Sequence, residues 1–334
     1  MKKYSLLLQK CFVDVNRFCE LLIPILKKYG LEENFSLFIK ELRKKGNNEA
    51  FNSHSPEDFG LTKELETLFF KSLLGEIGEN CILTKYTNLD CLFRIVKDNE
   101  ISMTSLVGMN DSTECYYVDS YLSEHGGITF LTNSDNTYWG TYSFVTSFTD
   151  LQDDLTMWRL YGNDASGINI QFKLVGQLKD DFILSPVSYA NKDGSHPKLD
   201  LIADMQNLAI ENMRFAFRCL HVWRYFFKPY QYSVENEIRL LYEKDKPDDQ
   251  LTWIQTGIGI ISSLTIFSIE EKSKNKHPLY PLVVRGITLG PQFVESNINL
   301  EVIKIMLQAK YGWTEKDVKI KTSCINNYRK NKTS

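Results

Sequence analysis

Short runs in which apolar and polar residues alternate recur along the chain, and they limit the folds that it can adopt. TYSFVTSF places Phe144 and Phe148 on one face, and GINIQFKL repeats the pattern with Ile168 and Ile170. This period of two is typical of strands. VENEIRLLY and PLVVRGITLG also read as strands, whereas NLEVIKIMLQAKYG and LIADMQNLAIENMRFAFRCLHVW read as helices. Because strands and helices mix without regular alternation, we predict an α+β fold.

The first part of the chain has a different pattern. VDVNRFCELLIPILKKYG and TKELETLFFKSLLGEIG carry apolar residues at three-and-four spacing, and a polar stretch separates them. We therefore predict a helical N-terminal extension over residues 1–78 and a main domain over residues 79–330. The extension is suited to forming a homo-oligomer, docking a partner or regulating the main domain, and the sequence leaves these three roles open.

Composition excludes several classes of protein. With 39 Lys and Arg against 42 Asp and Glu, the net charge of -3 gives no bulk attraction to nucleic acid or to an anionic membrane. The seven cysteines are scattered and odd in number, which argues against a disulfide framework. No run of eighteen apolar residues and no signal peptide is present, so we predict a cytoplasmic protein that does not enter the membrane.

SVENEIRLLYE contains the most informative group of charged residues. Read as one strand, it places Glu235, Glu237 and Arg239 on the same face, while Ile238 and Leu240 point the other way. Carboxylates two residues apart on a strand lie about 7 Å apart, close enough to influence each other's pKa. The segment therefore predicts either a reactive acidic pair or a solvated strand face, and spacing does not choose between them.

Two nearby features are candidates to complete a site. In LTMWRLYG, Trp158 and Tyr161 are three residues apart, so on a helical turn they share a face and offer a flat stacking surface. Packing in the core is the alternative for both. In FVTSFTD, Ser147 points away from Phe144 and Phe148, so its hydroxyl is placed to orient a neighbouring carboxylate.

Other kinds of site lack their motifs. The chain has no glycine-rich phosphate loop, no H-E-x-x-H and no G-x-S-x-G. None of the five histidines is paired at metal-ligand spacing, so we expect no metal site. Asp111 and Glu114 are best explained as the start of a helix. A magnesium-dependent nuclease that uses Asp111, Glu114 and Glu235 is the weakest of the alternatives.

A series of short segments, in order along the chain, resembles a known family. KYTNLDCLFRIVKDNEI, MNDSTE, FVTSFTD with MWRLYGNDASGINIQF, YSVENEIRLLY, VRGITLGP and VKIKTSCINNYR are similar to the bacterial family catalogued as domain of unknown function 2971, over residues 81 to 329. That family in turn resembles the ADP-ribosyltransferases. The resemblance implies a mixed, mainly antiparallel sheet whose active site is built on three strands.

The resemblance also implies roles for particular residues. Glu237 would stabilise the oxocarbenium-like sugar, Ser147 would hold Glu237, and Glu235 would position or deprotonate the acceptor. The side chains expected to contact NAD share these strands and their neighbours, and are Lys85, Tyr86, Thr87, Trp158, Tyr161 and Arg239. Of these, Trp158 or Tyr161 would pack on nicotinamide, and Tyr86 with Thr87 would bind the adenosine side.

The activity implied by the resemblance is that of an NAD-dependent ADP-ribosyltransferase or NAD hydrolase. NAD is then the substrate, a protein or a nucleic acid is an expected acceptor, and the biological role is that of a toxin or a phage-defence effector. Lys85 or Tyr86 stands where the family has Arg or His. A non-catalytic module of the same fold, which recognises a nucleotide or a protein, is therefore the main alternative.

Overall fold

The computed structural model describes residues 9–10, 13–47, 49–53, 55–78, 81–98, 100–106, 114, 116–129, 143–176, 182–243, 251–256, 259–268, 279–311, 313, 317–325 and 328. The α-helices are Val15–Lys28, Ser36–Lys45, Lys63–Leu74, Leu89–Asp98, Tyr117–Glu124, Leu155–Tyr161, Pro197–Gln206, Leu220–Trp223 and Ser296–Tyr311. Two 3-10 helices span Arg224–Phe226 and Tyr230–Glu235.

The strands are β1 Gln9–Lys10, β2 Phe51–Ser53, β3 Asp58–Leu61, β4 Ile82–Thr87, β5 Glu100–Ser105, β6 Ser143–Thr149, β7 Ile168–Leu174, β8 Phe182–Pro186, β9 Ser188–Tyr189, β10 Ala209–Ile210, β11 Met213–Phe215, β12 Phe227–Lys228, β13 Glu237–Glu243, β14 Leu251–Thr256, β15 Gly259–Ser268, β16 Leu279–Tyr280, β17 Leu282–Leu289 and β18 Lys319–Thr322. The predicted α+β class is confirmed, with a mainly antiparallel open sheet.

The chain divides into two compact units. Unit 1 comprises residues 1–76, 110–139 and 185–232, and unit 2 comprises residues 77–109, 140–184 and 233–334. The first boundary agrees with the predicted end of the N-terminal segment. The predicted domain over residues 79–330 is wrong as one continuous body, because two of its segments join the N-terminal residues in unit 1.

Unit 2 is built on a large sheet with the strand order β14-β15-β5-β6-β4-β7-β17-β18, and β13 pairs with β6 off this path. The inward faces of the strands bury Phe144, Phe148, Ile170, Phe172 and Leu240 in one apolar core. Successive residues of β6 and β7 therefore point alternately to the core face and to the opposite face of the sheet, which is the pattern that predicted these strands. The helix Ser296–Tyr311 adds Ile303 and Leu307 to the same core.

Unit 1 contains strands that the sequence analysis did not predict. β2 and β3 lie in the polar stretch between the helices, in a sheet with the order β1-β2-β3-β11-β10. The predicted long helix over residues 201–223 is also wrong, since the helix stops at Gln206 and a hairpin joins Ile210 to Met213. Glu211 in this turn has a φ of 50°, which a continuous helix does not allow. Pairing of β11 with β3 overrides the local helical pattern.

The segment WIQTGIGIISSLTIFSI, the best candidate for a membrane span by composition, contributes to the paired strands β14 and β15. Within the part of the chain that the structure describes, no helix combines the length and apolarity needed to cross a bilayer.

Glu66 gives unit 1 a stability that depends on pH. Its carboxylate is completely buried and accepts the backbone N–H groups of Arg218 and Cys219 at 2.8 and 2.6 Å. Burial raises its pKa from 4.5 to about 7, against the opposing effects of these hydrogen bonds and of the charges on His221 and Arg218. The folded state therefore binds the proton more tightly than the unfolded state, a stabilisation that is complete below pH 4.5 and lost as the pH rises through 7.

We expect the free energy of unfolding of the wild type, relative to Glu66→Gln, to fall by about 3 kcal/mol between pH 4.5 and 7.5. Urea unfolding at several pH values measures this difference. Glu64→Gln, on the exposed side of the same helix, is the matched control and should keep the wild-type fall at neutral pH, because a backbone hydrogen bond lowers the pKa of Glu64 and its titration lies at more acid pH. An equal pH dependence in Glu66→Gln and in the wild type would contradict the assignment.

Candidate functional site

The acidic pair does not lie on one strand, as the sequence predicted. Glu235 is the last residue of the 3-10 helix Tyr230–Glu235, and β13 begins at Glu237. Asn236 between them has a φ of 41°, in the left-handed region that Asn tolerates better than most residues. The alternation that aligned Glu235 with Glu237 is therefore interrupted, and only Glu237 and Arg239 share a strand face as predicted.

Glu237 and Arg239 form a buried ion pair along β13. Arg239 Nε donates to Glu237 Oε1 at 2.7 Å, and a terminal guanidinium nitrogen donates to Oε2 at 2.9 Å. Both side chains are almost completely buried. Such a two-point contact fixes the plane of the carboxylate and its charge. Ile238 and Leu240 point into the core on the other face of the strand, as the sequence predicted.

Ser147 supplies the third group of this cluster, from the neighbouring strand. β6 and β13 are antiparallel, with Arg239 opposite Ser147 and Glu237 opposite Thr149. Residues that oppose each other in this way project on the same side of the sheet. The Ser147 hydroxyl donates to Glu237 Oε1 at 2.5 Å, so the predicted contact between this serine and a carboxylate is confirmed.

Lys85 reaches β6 from β4 instead of facing open solvent. Its Nζ donates to Thr146 Oγ1 at 2.8 Å and to the Ser147 carbonyl oxygen at 3.2 Å. Burial lowers the pKa of the Lys85 ammonium, and its electrostatic interactions with Cys91 and Glu237 oppose that shift. The bond to the Ser147 backbone links Lys85 to the position of the serine that holds Glu237.

Tyr86 and Trp158 lie in a small core of unit 2, so the prediction that their rings contact a dinucleotide is wrong. Trp158 is 0% exposed, and its ring meets the Tyr86 ring edge-on with centroids 4.8 Å apart. The Tyr86 hydroxyl donates to the Leu151 carbonyl oxygen, and burial raises the pKa of Tyr86 to about 12. Thr87 is also buried. Core packing, the alternative that the sequence left open for Trp158, is what the structure shows.

Tyr161 lies on the same short helix as Trp158 but is 44% exposed. Its hydroxyl donates to Glu235 Oε1 at 2.5 Å. The two residues are 74 positions apart in the chain, and strand or helix periodicity does not reveal their contact. Among the residues that the structure describes, Tyr161 is therefore an exposed aromatic ring that lies beside a carboxylate.

Asp153 supports the helix that carries Tyr161 and was not predicted to matter. Its Oδ1 accepts from Trp158 Nε1 at 2.7 Å and from the Ser323 hydroxyl at 2.8 Å, and its Oδ2 accepts the Cys324 backbone N–H at 2.8 Å. The next residue, Asp154, caps the helix by accepting from the Met157 N–H. Two consecutive acids before a helix were the sequence signal for this anchor.

The residues of the nuclease alternative do not form a metal site in the described structure. Glu114 is buried and pairs with Lys228 at 2.9 Å, and Asp111 lies outside the described residues. Over the described ranges, no group of three or more His, Cys, Asp or Glu side chains is arranged to hold a metal ion.

A scan of the chain against models of protein families, a search among curated proteins and a search among solved structures each gave no match.

Proposed function

We propose that the protein cleaves the bond between nicotinamide and ribose in NAD, as an ADP-ribosyltransferase or an NAD hydrolase. The observation that supports this most directly is the Ser147 hydroxyl 2.5 Å from Glu237 Oε1, on two paired strands. An acidic residue held by a serine on the adjacent strand is the arrangement that the resemblance to ADP-ribosyltransferases implies.

The chemistry requires a fixed negative charge beside the sugar. As the nicotinamide leaves, positive charge develops on the ribose, as in glycoside cleavage, and a carboxylate stabilises that charge. Ser147 and Arg239 hold the Glu237 carboxylate in one orientation, so it does not reorganise during the reaction. Arg239 also offsets part of the cost of burying the Glu237 charge.

Glu235 and Tyr161 take the remaining roles. Since Trp158 is buried, the exposed ring of Tyr161 is the surface for the nicotinamide ring. The Glu235 carboxylate, which accepts the Tyr161 hydroxyl, would receive the proton of the acceptor. Water as the acceptor gives hydrolysis of NAD, and a nucleophile on a protein or a nucleic acid gives ADP-ribosylation.

A non-catalytic module of the same fold is the second candidate, and one observation favours it. Both oxygens of Glu237 are engaged, Oε1 by Ser147 and Arg239 and Oε2 by Arg239. A carboxylate satisfied in this way also fits a purely structural ion pair. Such a module would bind a nucleotide without turning it over, so binding and nicotinamide release must be measured on the same preparation.

Incubation of the purified protein with NAD, followed by chromatography of free nicotinamide, tests the proposal. Release that continues in the presence of EDTA supports it and argues against a magnesium-dependent reaction. NAD binding detected by calorimetry without any release of nicotinamide would instead support the non-catalytic module.

Tyr161→Phe separates the hydroxyl from the ring. Loss of a hydrogen bond to a charged group is worth about 1.5–3 kcal/mol, so kcat for nicotinamide release should fall about tenfold to a hundredfold. KM should stay near the wild-type value because the ring is retained. Tyr161→Ala should raise KM as well, and an unchanged KM in that variant would contradict the stacking role.

A further inference from the structure

The helix Ser296–Tyr311 has two apolar faces, of which one packs on the core of unit 2. Ile303 and Leu307 are buried in that core. On the opposite side Ile298, Val302 and Ile305 are each more than half exposed. Ala309 is exposed on the same side. A contiguous exposed apolar stripe on a helix is a feature of surfaces that bind a partner.

The exposed residues follow a defined repeat. Ile298, Val302, Ile305 and Ala309, here called the outer stripe, are four, three and four positions apart. This is the spacing of the a and d positions that line the seam between two helices of a coiled coil. A helix that only has to cover its own core needs one apolar face, and Ile303 and Leu307 already provide it.

We infer that the outer stripe is the contact surface of a homodimer, in which it packs against the same helix of a second copy in the antiparallel direction. A two-fold axis between residues 303 and 304 sets the register. Val302 then meets Ile305 of the second copy, and Ile298 meets Ala309 of the second copy. Each contact occurs twice, as a two-fold interface requires. The pairing of Ile298 with Ala309 places a large side chain against a small one.

Charge is also compatible with this arrangement. Glu301 flanks the outer stripe, and the two-fold axis brings it beside Gln308 of the second copy instead of beside a like charge. Within its own helix, Glu301 pairs with Lys304 at 3.1 Å. Antiparallel packing also opposes the two helix dipoles. A parallel pair would align the dipoles and place Ala309 against Ala309, which leaves a gap in the seam.

The composition of the flanks favours a second copy over a membrane surface. Helices that lie on a membrane carry Lys and Arg along the polar edges of their apolar face. Among the side chains that the structure describes, the exposed polar neighbours of the outer stripe are instead Asn297, Glu301 and Gln308. A seam of a few layers covers less than the ~800 Å² per partner of a standard interface, so the dimer should dissociate on dilution, with a Kd on the order of micromolar.

Sedimentation equilibrium of the full chain over a wide concentration range tests the inference. The wild-type mass should rise from that of one chain towards twice that value. Ile305→Glu should keep the mass of one chain at every concentration. An unchanged far-UV circular dichroism spectrum would show that the variant protein still folds. Leu37→Glu is the matched control, because Leu37 is also half exposed on a helix but lies in the N-terminal segment.

The register is tested by cysteine crosslinking. When Ile298→Cys and Ala309→Cys chains with different tags are mixed and oxidised, the mixed disulfide should form, and it should exceed the background that the native cysteines give in unmutated chains. A dimer that survives Ile305→Glu but is lost in Leu37→Glu would overturn the inference and place the interface in the N-terminal segment. A chain that stays monomeric at every concentration, or a monomer that sediments with anionic vesicles, would overturn it as well.

Discussion

Replacement of Glu237 by Gln is expected to lower the rate of nicotinamide release from NAD by about a thousandfold, while the protein stays folded. A charge pair at about 4 Å in an effective dielectric near 20 contributes on the order of 4 kcal/mol to stabilisation of the transition state, which corresponds to that factor. Gln keeps the size of the side chain and an oxygen that accepts from Ser147 and Arg239. It removes the negative charge and one acceptor, the Oε2 atom that takes a hydrogen bond from Arg239 at 2.9 Å.

The rate is measured in single-turnover conditions, so that slow product release does not hide the chemical step. Asp150→Asn is the matched control, since Asp150 is an exposed acid directly after β6 and has no role in the proposed reaction. Its rate should equal that of the wild type. Unchanged turnover in Glu237→Gln would remove Glu237 from the proposed role and leave Glu235 as the acid to examine.

The parts of this site that follow from strand periodicity were predictable. The alternation in β6 predicted that Ser147 points away from Phe148, and the alternation in β13 predicted that Glu237 and Arg239 share a face. Once two strands pair, these rules bring Ser147 next to the carboxylate. The limits of β7 follow from the same alternation, whereas β17 was predicted from a nearly continuous apolar run and is buried on both faces.

The other parts of the site could not be predicted from strand or helix periodicity. A single left-handed residue, Asn236, takes Glu235 off the strand, and it lies inside a segment that otherwise reads as continuous strand. Trp158 and Tyr161 have the same spacing that any helical pair has, so only the packing of Tyr86 against Trp158 shows which ring is buried. The contact between Tyr161 and Glu235 joins the ends of two short helices that are distant in sequence.

Removal of the guanidinium in Arg239→Leu is expected to destabilise the protein by about 3–5 kcal/mol, since the buried Glu237 carboxylate loses its two-point contact with the guanidinium. Leu fills part of the space left by the arginine, so the loss is mainly electrostatic. Urea unfolding gives the free energy of unfolding. Arg285→Met, which changes an exposed arginine on β17, is the control and should stay within about 0.5 kcal/mol of the wild type.

The double variant Glu237→Gln with Arg239→Leu separates an ion pair from ordinary packing. With the carboxylate already neutral, loss of the guanidinium no longer strands a charge, so the double variant should be more stable than Arg239→Leu by about 2 kcal/mol or more. Strict additivity of the two single effects would mean that the 2.7 Å contact contributes nothing specific to stability. In that case Arg239 would hold β13 through the packing of its aliphatic stem, and the charge of Glu237 would be compensated by other groups.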